Sequence, residues 1–149
     1  MQGTDGKKGR VLALDLGDRR IGVALSDESR MLARGLDVFE RTSRQADFEY
    51  IGRLVDEHDV SLIIVGLPTL PSGEEGSRAV WARDYAADLD RAVPADVCMW
   101  DESFSTQDAQ ASLRARGKSR RQRKRRLDAV AAAFILQSFL DSSAGPADA

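Results

Sequence analysis

Residues 11–27 read VLALDLGDRRIGVALSD, two short apolar runs joined by a polar turn. Val11, Leu12, Ala13, Leu14 and Leu16 have the length and composition of a strand, Gly17-Asp18-Arg19-Arg20 is turn chemistry, and Ile21 to Leu25 is a second strand. The pattern predicts a β-hairpin. Asp15 is the only acid inside the first run. Burying an ionised carboxylate without a partner costs several kcal/mol, so Asp15 must face a cation, an arginine or water at the open end of its strand. Gly17 and Gly22 leave bare backbone beside it, which suits the close approach of a phosphate or a metal-bound ligand.

Outward from the hairpin, Leu32 to Arg41 (LARGLDVFER) continues as a third strand and completes an antiparallel meander. Arg44 to Glu57 has helical spacing, with Phe48, Ile51, Leu54 or Val55, and His58 on one stripe. His58, the only histidine, closes that helix, where the dipole favours it and a structural role suffices. Ser61 to Val65 (SLIIV) is apolar throughout, as a strand covered on both faces must be. A loop from Thr69 to Gly76 leads to a helix capped by Ser77 and running to about Arg91, with Val80, Trp81, Tyr85 and Leu89 as its expected buried face. Ala95 to Trp100 (ADVCMW) closes a β-α-β unit, so this half of the sheet should be parallel. Cys98, the single cysteine, is expected to be a small buried residue. Ser105 opens a helix to about Arg116, which Gly117 stops. Leu127 to Leu140 (LDAVAAAFILQSFL) is the last helix, with almost no polar face.

The 149 residues suffice for one domain with a real core, expected over 10–141 between a disordered lead (1–9) and tail (142–149). No run approaches the roughly 18 apolar residues of a membrane span, and MQGTDGKKGR has no apolar signal core, which points to a soluble cytoplasmic protein. Net charge is −2, yet nine basic residues and no acid lie between Arg114 and Arg126. The rest of the chain, with 13 basic and 24 acidic side chains, therefore carries −11. A basic block within an acidic protein is an electrostatic footprint for nucleic acid. It holds no aromatic residue, so contact with the phosphate backbone is expected rather than base stacking.

Four carboxylates interrupt apolar surroundings: Asp15, Asp101 and Glu102 beyond the last strand, and Asp128 in the first turn of the last helix. The topology brings strand ends and helix start to one edge of the sheet, where ligands of α/β folds gather. Carboxylates so close repel unless a cation intervenes. Oxygen donors without Cys or His select Mg²⁺ or Mn²⁺. Two such ions about 3.5–4 Å apart suit in-line phosphodiester hydrolysis, with Asp15 bridging and Glu102 and Asp128 holding one ion each. Successive strand residues point opposite ways, so one of Asp101 and Glu102 reaches the ions; we assign Glu102, with Asp101 in support.

The order of DLGxxRIGVALSD, IIVGLP, the pair Arg78-Ala79, WDESFST and LDAVAAAFILQ resembles the YqgF/RuvX family over roughly residues 10 to 141. Members are described as Holliday-junction-resolvase-like and as pre-16S rRNA nucleases. The resemblance implies an RNase H-like mixed five-stranded sheet flanked by helices, with an antiparallel β1-β2-β3 meander and parallel β4 and β5. It further implies metal-dependent cleavage, either in maturing the 5′ end of 16S rRNA or in resolving branched DNA. The family's strand-one Asp falls on Asp15, its Asp-Glu pair on Asp101 and Glu102, and its last-helix Asp on Asp128. Members often carry Arg after the Asp-Glu pair, where this chain has Ser103, so any phosphate contact by that Arg is either lost or supplied elsewhere, by Arg78 or the basic segment. Junction resolvases carry an acid at the end of the fourth strand, where this chain has Gly66. Arg19, Arg20, Arg78, Lys118, Arg120, Arg121, Arg123, Lys124, Arg125 and Arg126 are the expected nucleic-acid contacts. Two rival classes are a nucleic-acid-binding assembly or transcription factor without catalysis, and one lobe of a sugar-kinase or actin-like ATPase. The ATPase fold needs two lobes, and 149 residues supply one.

Overall fold

A computed structural model describes residues 9–68, 72, 74–102 and 120–143, with side chains of the last segment described from 129 to 142. Among the described residues, five strands and three helices follow in the order β1 (Arg10–Leu16), β2 (Arg20–Ser26), β3 (Ala33–Glu40), α1 (Arg44–His58), β4 (Val60–Leu67), α2 (Ser77–Ala92), β5 (Asp96–Asp101) and α3 (Arg120–Ser143). The strands form one mixed sheet in the order β3-β2-β1-β4-β5. β1 is its centre. It pairs antiparallel with β2, where Asp15 meets Gly22, and parallel with β4, where Leu14 meets Val65. β2 and β3 are antiparallel, and β4 and β5 are parallel. The hairpin, meander and β-α-β unit expected from the sequence are all present.

Period-two alternation divides the apolar residues between two layers. Leu12, Leu14 and Leu16 of β1 pack with Val23, Leu25, Ile63 and Val65 beneath α1 and α2. Val11 and Ala13 face the other way and pack with Ala24 and Ile64 under Ala132, Ile135, Leu136 and Leu140 of α3. Residues on the α3 face are small because the helix lies close. A Cβ built on Gly35 of β3 would stand 3.1 Å from the Ala129 Cβ. Asp15 has the parity of Val11 and Ala13, so its strand presents it to the α3 layer.

Helix α3 is tied down at its far end. The Gln137 side chain accepts from Ala33 N and donates to Met31 O, both at 2.9 Å, and Trp100 Nε1 donates to the Ser138 hydroxyl at 2.5 Å. On the opposite layer, Ser43 caps α1 by accepting from Ala46 N at 3.1 Å. Asp47, in the first turn of α1, is buried: it accepts from Thr42 N at 3.2 Å and from the Tyr85 hydroxyl of α2 at 3.1 Å.

Several expectations are corrected. The last helix starts at Arg120, seven residues before Leu127, so most of the basic block is its opening turns and not a loop. Arginine and lysine are good helix formers, and nothing from Arg120 to Arg126 breaks a helix. The helix also continues through Asp141–Ser143, which the compositional reading gives partly to the tail. Gly76, not Ser77, is the N-cap of α2, and no side chain caps it. The buried face of α2 is Ala79, Ala82, Tyr85, Ala86 and Leu89, while Val80 is 62% exposed; small residues face the sheet because the helix packs closely on it. Cys98 is exposed, because it lies on edge strand β5 on the face of α3, which covers β1, β2 and β3 and only reaches β4. The helix expected over 105–116 lies outside the described residues.

Candidate active site

Asp15, next to the last residue of β1, stands half-buried at the carboxyl end of the central strand. Glu102, the first residue after β5, is half-buried as well, and its carboxyl shares a hydrogen bond with that of Asp15. Two acids far apart in the chain are thus brought together. Glu102 reaches Asp15 by crossing β4 over Gly66: a Cβ at Gly66 would lie 2.7 Å from Glu102 Oε2 and 2.9 Å from its Cγ. Ile135 of α3 closes the same spot, its Cδ1 2.9 Å from that position.

Burial pushes the Glu102 carboxyl above the usual carboxylate range, opposed by the Arg78 guanidinium and the bond to Asp15 and reinforced by the charge of Asp101. Ionised carboxylates only accept hydrogen bonds, so an Asp15–Glu102 bond needs a proton held between them. A cation bound there would do the same electrostatic work. The donor set is all oxygen, which fits Mg²⁺ or Mn²⁺, and the bare backbone of Gly66 leaves the space in which Glu102 meets Asp15.

Asp101 ends β5 opposite Leu67 of β4, half-buried. Asp128 does not open its helix. It lies two turns into α3, so the dipole no longer explains an acid at that position. Its side chain lies outside the described residues, and among those that are described no group of three His, Cys, Asp or Glu is placed to hold a metal ion.

Of the expected nucleic-acid contacts, Arg19 is exposed in the β1–β2 turn and Arg20 starts β2. Arg78, in the first turn of α2, reaches to 3.4 Å from the Leu16 carbonyl and 3.9 Å from Asp18 Oδ1. Arg120, Arg121, Arg123, Lys124, Arg125 and Arg126 occupy the opening turns of α3, and Lys118 lies outside the described residues. One residue escapes the sequence reading. Arg41 donates to the carbonyls of Gly17 and Asp18 at 2.7 Å each and lies 4.3 Å from the centre of the Trp81 ring. It locks the turn after Asp15 to α2, beside an open cavity of about 280 Å³ lined by Leu16, Asp18, Arg78 and Trp81 among others. The meander holds the clue, because its register returns the end of the third strand to the first turn: Arg41 N donates to Arg19 O at 2.8 Å.

A mixed five-stranded sheet in the order β3-β2-β1-β4-β5, with helices on its faces, is the RNase H-like fold of the RuvC-like resolvases. RuvC of T. thermophilus, solved in complex with Holliday junction substrate, superposes with a TM-score of 0.58 at 14% identity over 92% of this chain and 98% of its own. The fowlpox virus resolvase, solved with Holliday junction DNA, gives 0.53 at 11% over 91% and 99%. At the level of sequence, the family model for RuvX, described as Holliday junction resolvase, matches residues 9–142, and the chain belongs to that family. A relative from Halalkalibacterium halodurans is 42% identical over 134 residues, covering 89% of this chain and 96% of its own. Another, from Pelotomaculum thermopropionicum, is 44% identical over 138 residues, covering 92% and 90%. Both bear the name "Putative pre-16S rRNA nuclease".

Proposed function

We propose that this chain is a divalent-metal-dependent nuclease that hydrolyses phosphodiester bonds of structured nucleic acid, with the 5′ end of pre-16S rRNA as its main substrate and branched DNA as the second candidate. The observation that carries the reading is the hydrogen-bonded carboxyl pair of Asp15 and Glu102 at the end of the central strand. Family membership supports the hydrolase class, and the names of the relatives support the rRNA substrate.

Asp15 and Glu102 offer the oxygen donors, and Asp128 is assigned as the third from its place in α3. When bound, two Mg²⁺ or Mn²⁺ ions supply the Lewis acidity that activates water and stabilises the leaving oxygen. Asp101, beside Glu102, supports that ligand's orientation. Arg78 acts on Glu102 through its field and stands ready, with Arg19 and Arg20, for the phosphates that flank the cut. The opening turns of α3 hold the nucleic-acid backbone by charge, without reading bases.

The test offers the purified protein, with Mg²⁺ or with Mn²⁺, a 5′-extended 16S rRNA precursor beside a four-way DNA junction. The precursor is cut at the lower enzyme concentration. Asp15→Asn, Glu102→Gln and Asp128→Asn each abolish cleavage and leave binding largely intact. Cleavage retained in all three overturns the metal site. Salt-sensitive binding with no product under either metal establishes instead the non-catalytic assembly factor, the reading that the basic helix start alone supports.

A further inference from the structure

Gly66 sits on β4 one residue beyond Val65, the partner of Leu14, and so stands level with Asp15. On its other side it pairs with Trp100 of β5. Glu102 follows Trp100 by two residues and already lies past the end of β5, so its side chain must double back across β4 to meet Asp15. The route passes over Gly66. A single methyl group there would fall 2.7 Å from Glu102 Oε2, 2.9 Å from its Cγ and 2.9 Å from Ile135 Cδ1, closer than nonbonded carbon and oxygen atoms stand. All three atoms belong to side chains, and none to the backbone. A methyl group at 66 therefore leaves the sheet in place and drives away the carboxylate.

We propose that Gly66 is a positioning residue for the carboxylate pair: its missing side chain is the seat that lets Glu102, delivered from the end of β5, stand on β4 beside Asp15. The consequence for metal binding rests on the reading of Asp15 and Glu102 as ligands. A purely structural role, room for α3, would act through Ile135 and not through Glu102. The two roles are therefore separable by substitution.

Ile135→Val removes the Cδ1 atom and with it the clash that involves the helix. In that background the atoms nearest to the methyl group of Gly66→Ala are those of Glu102. Two measurements follow on the Ile135→Val and Gly66→Ala/Ile135→Val proteins, each with and without Glu102→Ala. The first is the metal-free crystal structure, in which Gly66→Ala is expected to turn Glu102 off Asp15 while β4 keeps its place. The second is calorimetric titration with Mn²⁺, in which Gly66→Ala weakens the Kd about 10- to 100-fold when Glu102 is present and changes nothing when residue 102 is Ala. A Glu102 still bonded to Asp15 in the Gly66→Ala crystal overturns the proposal, and so does an equal loss of Mn²⁺ affinity in the two Glu102 backgrounds. A wild-type protein that binds no Mn²⁺ ends the metal reading instead, and the metal-free structure then decides the role of Gly66 alone.

Discussion

Asp15 and Glu102 place one protonatable site between two carboxyl oxygens, and that arrangement is adverse to folding in the absence of metal. Glu102→Gln donates its amide N–H to Asp15 and keeps the bond without the uptake of a proton, so the metal-free variant gains about 1 kcal/mol, or roughly 2–4 °C in Tm, even as it loses the proposed metal-dependent cleavage. Thermal denaturation in a chelator checks this, and a lower Tm would contradict it. Asp27 shows the opposite case. Bonds from the Ser29 hydroxyl and from the amides of Leu32 and Met31 hold its carboxyl down at about 2, below the ordinary 3.8. A depressed folded value means that its contribution is present above the unfolded value and is lost as the pH falls through the folded one. The urea midpoint of Asp27→Ala therefore lies below wild type at pH 7, and the gap narrows between about pH 4 and pH 2. Asp15 is legible in the sequence because an acid inside an apolar run has to be explained. Gly66 is not, because its role depends on which atoms of a distant residue the register brings over it. Asp47 reads as an ordinary first-turn acid until Tyr85 is seen to cover it.

Helices α1 and α2 are joined by that Asp47–Tyr85 bond and by the edge-to-face contact of Phe48 with Tyr85, whose ring centres lie 5.1 Å apart. Tyr85→Phe keeps the ring and strips the buried carboxylate of one donor, which costs about 1–3 kcal/mol in urea denaturation. A cost near zero would show that Thr42 N alone satisfies Asp47. At the start of α3, positive residues stand where the helix dipole favours negative ones, so the dipole does not account for them and the proposed phosphate contact does. Replacing Arg120, Arg121, Lys124 and Arg125 by Gln flattens the salt dependence of nucleic-acid binding, by roughly 0.9 in slope for each phosphate no longer neutralised, with no fall in Tm. An unchanged slope would assign these turns another role. The apolar pattern of α3 begins at Leu127, which is why the sequence pattern starts the helix there. Hydrophobic periodicity marks only the turns that touch the sheet, and the charged turns before them carry no such mark.

The described residues form one sheet between two unlike layers, with Trp81 on the α1–α2 side and Trp100 on the α3 side. If the layers share one cooperative unit, fluorescence of Trp81→Phe and of Trp100→Phe reports the same urea transition as far-UV circular dichroism. Leu14→Ala, at the buried centre, shifts all three by about 2–5 kcal/mol. Separate midpoints for the two tryptophans would mean that the layers unfold independently. The strand directions followed from the sequence because hairpin chemistry and a β-α-β crossover each permit one arrangement. The depth of cover did not, since a strand cannot reveal how far across the sheet a distant helix will reach. β1 is hydrogen-bonded along both of its edges, to β2 and to β4. If the layers unfold as one, its amides are expected to exchange with deuterium only when the entire domain opens, and the acid it carries keeps its place until that moment. Heat inactivation and global unfolding then trace a single curve, with no dead but folded species between them.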